Sequence, residues 1–186
     1  MSARAPSGGF LVLGLGNLLC GDDGLGVTAV TAVARRYQVP EGVLLLDGGT
    51  LGLSLLGWLS EAEDILLVDA IRDGGAPGTL VHLEGDEVEH AARERLSVHQ
   101  IGVSDLLDSL RLLDAWPRRL ALVGLEPEHL ELGLSRSDAV ESALPILVDA
   151  VVAEIRARGH RLTPRTDHEE PADLLDGRHA ARSLGL

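Results

Sequence analysis

The sequence predicts an α/β fold of three layers, α/β/α: a mixed five-stranded sheet, mostly parallel with one antiparallel strand, flanked by helices. Three observations carry this expectation. Short Leu/Val/Ile runs end in Gly, Asn or Asp; stretches with helical spacing lie between them; and hydrophobic residues make up 45% of the 186 residues although aromatics make up only 2%. Continuous apolar runs bounded by turn residues read as strands buried on both faces. A chain of this length buries roughly 70% of the surface its unfolded form exposes, enough for one real core.

The first run, Phe10–Leu15, leads into Gly16-Asn17. Residues 26–36 follow, with Val27, Val30, Val33 and Ala34 at helical spacing. A second strand at 43–46 ends in Asp47-Gly48-Gly49, a short helix is expected at 53–59, and a third strand at 65–68 ends in Asp69-Ala70. Strand–helix–strand–helix–strand implies parallel pairing through right-handed crossovers. A fourth strand, 79–83, follows a Gly/Pro-rich loop without helical pattern, so it is expected to return antiparallel at an edge. Residues 99–114 carry Val103, Leu106, Leu107, Leu110 and Leu113 on one face, an amphipathic helix. A fifth strand is expected at 119–124 and a final helix at 138–158, kinked or started late by Pro145. Residues 1–162 thus form one domain. Residues 163–186 are polar and aperiodic, expected as a flexible tail with one helical turn around 172–175.

The charge balance excludes several functions. Net charge is −13, the opposite of the basic footprint that nucleic-acid binding requires, and an anionic membrane surface would repel it. The N-terminal residues lack a signal peptide's core, and no stretch of about 18 apolar residues is present, so the cytoplasm is expected. Nothing in the sequence sets the oligomeric state, and a monomer is the default expectation for a small chain. With one cysteine, Cys20, neither an internal disulfide nor a Cys-rich metal cluster can form.

Parallel strands share a carboxyl edge, and ligands bind in the crevice beyond it. Asp47 and Asp69 each follow a strand, and the loop after the first strand brings Asp22 and Asp23 to the same region. Like charges gathered there repel, by about 1 kcal/mol per pair at 4 Å in water and more near protein, so a raised pKa, a helix N-terminus or a cation should compensate. His99, at the start of a helix, could reach the same crevice. Two carboxylates and an imidazole suit Ni²⁺ or Zn²⁺ and leave positions open for water or substrate. Each residue also has a structural reading: Asp22 or Asp23 as a helix cap, Asp47 as a turn organiser, His99 as a solvent-facing side chain. The other six histidines have no motif around them.

Together, Gly14-Leu15-Gly16-Asn17 with Gly21-Asp22-Asp23-Gly24-Leu25-Gly26, then Asp47-Gly48-Gly49-Thr50, Val68-Asp69-Ala70, His99-Gln100-Ile101-Gly102 and Gly124-Leu125-Glu126-Pro127, resemble the ordered motifs of the hydrogenase maturation endopeptidases. The resemblance spans residues 11–158. It implies an endopeptidase that removes a C-terminal extension from the large-subunit precursor of a nickel–iron hydrogenase after nickel insertion. The nickel would be carried by the substrate, without an organic cofactor, and Asp23, Asp69 and His99 are implied as its recognition set. Position 23 is Glu in some relatives and Asp here, one methylene shorter. Asp47 is assigned a supporting role as general base or orienter. There is no His-Glu-x-x-His zinc motif.

Three other readings compete. Dinucleotide binding would use Gly14-x-Gly16, but position 19 is Leu, and Asp22 and Asp23 sit where a pyrophosphate needs free N–H groups. A Cys20–His99 thiol hydrolase needs a thiolate, and Cys20 has the acidic Asp22 and Asp23 as neighbours in place of the cationic groups that would favour one. A nickel-sensing chaperone without catalysis would use the same acidic pocket.

Overall fold

The computed structural model describes residues 9–94, 101–133, 135–166 and 174–176. In chain order, strand β1 (Phe10–Leu15) leads through a 3-10 turn at Gly21–Gly24 into α1 (Leu25–Arg36), then β2 (Tyr37–Gln38) and β3 (Val43–Gly49). A second 3-10 turn, Gly52–Leu55, opens α2 (Leu56–Glu61), followed by β4 (Asp64–Ala70), β5 (Leu80–Glu84), α3 (Asp86–Glu94) and α4 (Ile101–Leu112). Then come β6 (Arg119–Leu125), α5 (Asp138–Ala157), β7 (Thr163–Pro164) and β8 (Leu174–Asp176). The main sheet runs β5-β6-β4-β1-β3-β8, with β5 antiparallel to β6 and the other pairs parallel. The five expected strands are all present, with the fourth reversed at the edge as its loop implied.

Strand alternation divides the core in two. Val12, Leu45, Leu66, Val68 and Val123 pack beneath α1 and α5, while Leu11, Leu13, Leu46, Leu67 and Leu122 pack beneath α2, α3 and α4. Each such buried side chain contributes roughly 1.5–3 kcal/mol, so aliphatic packing suffices without aromatics.

Strands β2 and β7 were not expected: they pair antiparallel in a small second sheet, so the stretch expected as a flexible tail begins in a strand. Three further elements differ from expectation, each for a local reason. Helix α3 escapes the periodicity test because only Val88, Ala91 and Ala92 form its narrow buried stripe among charged residues. Helix α5 starts at Asp138, not after Pro145. The Ser137 hydroxyl caps it by accepting the Val140 N–H at 3.3 Å. Pro145 lies on the exposed side, where water can satisfy the carbonyl it leaves free. The helical turn expected around 172–175 gives way to β8: Leu174 and Leu175 align with Leu45 and Leu46, and Leu174 packs against the α1/α5 core. An open edge of β3 offers unpaired main-chain groups, and these outweigh a weak helical tendency.

The start of α1 lies hard against the sheet. A Cβ on Gly26 would fall 2.0 Å from the Val68 carbonyl oxygen and 2.6 Å from that of Leu15. Both obstacles are backbone in buried strands and cannot swing aside. Gly26→Ala is therefore expected to destabilise the fold by about 3 kcal/mol, at the upper end of overpacking costs. Urea unfolding checks this, and a midpoint equal to wild type would refute the close approach.

Candidate active site

Strands β1, β3, β4 and β6 are mutually parallel through their pairings, so their carboxyl ends share one edge. The loop after β1 leads to α1 on one face, and the loop after β3 leads to α2 on the other. Where adjacent strands send their connections to opposite faces, a crevice opens between them. Here it is a pocket of about 250 Å³, bordered by Gly16, Asn17, Leu18, Asp47, Gly49 and Thr50.

Asp47 sits near the end of β3, level with Gly14 of β1. Its Oδ1 accepts the Gly49 N–H at 3.0 Å, so it orders the Gly-Gly turn while bordering the pocket. Both readings of this residue, turn organiser and crevice carboxylate, apply together.

Asp23 and Asp69 are fully buried. Asp23 lies in the 3-10 turn, and its Oδ2 accepts the Asn17 N–H at 2.7 Å. Gly16 makes that fold-back possible: it has φ +112°, and a Cβ there would lie 1.8 Å from the Asp23 carbonyl oxygen. Asp69 belongs to β4, opposite Gly124 of β6, and its Oδ1 accepts the Ala70 N–H at 2.7 Å. The 3-10 turn packs against β4, and Gly26 touches the carbonyl of Val68, the residue before Asp69. The two buried carboxylates therefore come from elements in direct contact. Alternation puts Asp69 on the Leu67 side, facing α4, and Asp47 on the Leu45 side, facing α1. His99 lies outside the described residues, two positions before the first residue of α4.

Asp22 turns away from this group. Its Oδ2 accepts the N–H groups of Glu128 (2.9 Å) and His129 (3.2 Å) and the Ser137 hydroxyl (2.9 Å), while its Oδ1 accepts the Ser137 N–H (2.8 Å). This fully buried carboxylate ties the first loop to the segment after β6 and to the start of α5. Burial would push its carboxyl up, but the main-chain donors of Ser137, Glu128 and His129, helped by the Ser137 hydroxyl, outweigh burial and hold it below the ordinary value.

Sequence reasoning quoted Glu126 within a motif without giving it a task. Its buried Oε2 accepts the N–H groups of Asp73 (2.7 Å) and Gly75 (3.2 Å), pinning the loop that leaves β4 just beyond Asp69. The available signal was an ionisable residue directly after a buried strand. Cys20 is a buried free thiol in the loop between β1 and the 3-10 turn.

The fold is thus a three-layer α/β protein with several carboxylates along the carboxyl edge of its sheet, where ligand sites of such folds form. The profile of the hydrogenase maturation protease family matches residues 27–154. The hydrogenase expression/formation protein HupM of Azotobacter chroococcum is 39% identical over 97% of this chain and 88% of its own length. The hydrogenase 2 maturation protease of Escherichia coli is 38% identical over 83% of this chain and 95% of its own. Among solved structures, the hydrogenase maturating endopeptidase HybD from E. coli superposes with a TM-score of 0.81 at 38% identity, covering 86% of this chain and 99% of that one. The chain belongs to the hydrogenase maturation protease family, and is a peptide hydrolase.

A carboxyl held below its unfolded value stabilises the fold above that value, and the contribution disappears as pH falls through the lowered folded pKa. Asp22→Ala, which strands several buried donors, should cost about 3 kcal/mol at neutral pH. The gap from wild type should shrink as the pH is lowered below about 4. Denaturant titrations across pH test this, and a pH-independent gap would show that the charge is irrelevant.

Proposed function

We propose that this chain makes one cut in the large-subunit precursor of a nickel–iron hydrogenase, releasing a C-terminal extension once nickel has been inserted. The observation that carries the reading is the pair of fully buried carboxylates, Asp23 and Asp69, on contacting elements at the carboxyl edge of the sheet, with Asp47 bordering the adjoining pocket. A buried carboxylate is costly unless its charge is compensated. Main-chain N–H groups reach both, from Asn17 to Asp23 and from Ala70 to Asp69. A cation delivered by the substrate would be a further partner for them.

In this reading nickel belongs to the precursor. Asp23 and Asp69, with His99, offer the mixed oxygen and nitrogen donors that a borderline divalent ion accepts. In this reading a loaded precursor brings a cation for these carboxylates to bind, so metal occupancy becomes the specificity device. The shorter arm of Asp23 retains the charge and draws its oxygens back by one methylene. Asp47, which borders the pocket and accepts the Gly49 N–H, would play the supporting role, as the base that takes a proton from the attacking group or as its orienter. Cytoplasmic location follows from the substrate, and no helix among the described residues is long and apolar enough to cross a membrane.

The decisive experiment incubates the purified chain with nickel-loaded and nickel-free precursor and follows the precursor's mass. Loss of a C-terminal fragment from the loaded form alone is expected; binding without mass loss would leave a nickel-sensing module. Asp69→Asn and His99→Ala should each slow processing by about 10²-fold or more, the scale for losing a positioned electrostatic group. Their thermal unfolding should match wild type, and collapse of the fold would mark the residues as structural. Cys20→Ser should retain activity, and a loss beyond about tenfold would revive a thiol mechanism.

A further inference from the structure

The pocket beside Asp47 does not end there. Leu18 and Val27 also line a second depression of about 410 Å³, which continues along the outer face of α1 past Thr31 and Ala32 to Arg35 and Arg36. The two depressions have Leu18 and Val27 in common and, taken together as a trough, carry a carboxylate at one end and two guanidinium groups at the other. Leu18 is 53% exposed at the junction, a large apolar side chain left in water beside the site. Arg35 and Arg36 are exposed, and neither is ion-paired among the described residues.

We propose that this trough holds the precursor's C-terminal extension, running in extended form from Asp47 over Leu18 and along α1, with an acidic side chain or the terminal carboxylate at Arg35 and Arg36. The inference rests on the proteolytic reading and adds the path and chemistry of the released segment. Asp69 and Asp47 face opposite sides of the sheet, so a chain crossing the edge carries its two halves apart. The nickel-bearing half stays with Asp23 and Asp69, and the other half emerges on the α1 side. From Val27 to Arg36 the helix rises about 14 Å, which an extended peptide covers in about four residues. The pocket at Asp47 accommodates one or two more. The acidic group should therefore lie about five or six residues beyond the cut.

Arginines in the last turn of a helix also offset its dipole. That role affects stability and leaves peptide binding unchanged, so the two are separable. The probe is a fluorescein-labelled peptide, Leu-Val-Ala-Leu-Glu-Glu, with a counterpart ending in Lys-Lys, titrated against the full chain by anisotropy. Wild type should bind the acidic peptide at least tenfold more tightly than the Arg35→Glu/Arg36→Glu variant does, and that variant should prefer the lysine peptide. Arg35→Gln/Arg36→Gln, which removes charge at two exposed sites, should fall between them, and Leu18→Asp should weaken the acidic peptide on its own. Equal affinity across the variants, or no saturable binding to wild type, overturns the trough. Precursor cleavage by wild type is read separately. Cleavage without peptide selectivity removes the trough alone; selectivity without cleavage removes the proteolytic reading and leaves the trough as a peptide-docking surface.

Discussion

The close approach of the start of α1 to the carboxyl ends of β1 and β4 is the constraint on which the rest of the molecule depends. Side chains at Gly14, Gly16 or Gly26 would meet backbone atoms within 3 Å, so the glycines of the opening motif permit contact between main chains. That contact presses the 3-10 turn against β4 and buries Asp23 near the level of Asp69. A wider spacing would admit water between the elements and leave each carboxylate separately solvated. The acidic crevice is in this sense a result of backbone packing.

The carboxylates at that edge are held in a common way. Asp22, Asp23, Asp47, Asp69 and Glu126 each accept at least one main-chain N–H. Amide dipoles stabilise the ionised form while leaving the formal charge in place, unlike a salt bridge. At the other end of β4, Asp64 is treated differently, receiving two hydrogen bonds from the Arg118 guanidinium at 3.1 Å. The two ends of the sheet thus hold their carboxylates by different kinds of donor. Asp22, with four donors, ties the first loop to the segment after β6 and to the start of α5, whereas Asp47 borders a pocket.

Strand and helix positions were legible because their signals are local. The apolar runs, the Asp or Gly at their ends and the helical spacing of 26–36 all lie within a few residues of the structure they dictate. The loop preceding β5 likewise announced an antiparallel return. Where the local signal was thin, as in the narrow stripe of α3, or overridden, as in β8 docking on β3, the reading from sequence did not reach the structure.

Sequence alone determined the fold class, the family motifs and the carboxylates Asp23, Asp47 and Asp69 as candidates, since each follows directly from its neighbours in the chain. Tertiary structure decided what those neighbours cannot encode. Asp22 and Asp23 are adjacent and chemically identical, yet one faces donors 106 to 115 residues further along the chain and the other turns to Asn17. Glu126 finds its partners 51 and 53 residues back, in a loop with no pattern of its own. Such pairings depend on which segments the sheet order brings together, and sheet order is set by the packing of the whole chain.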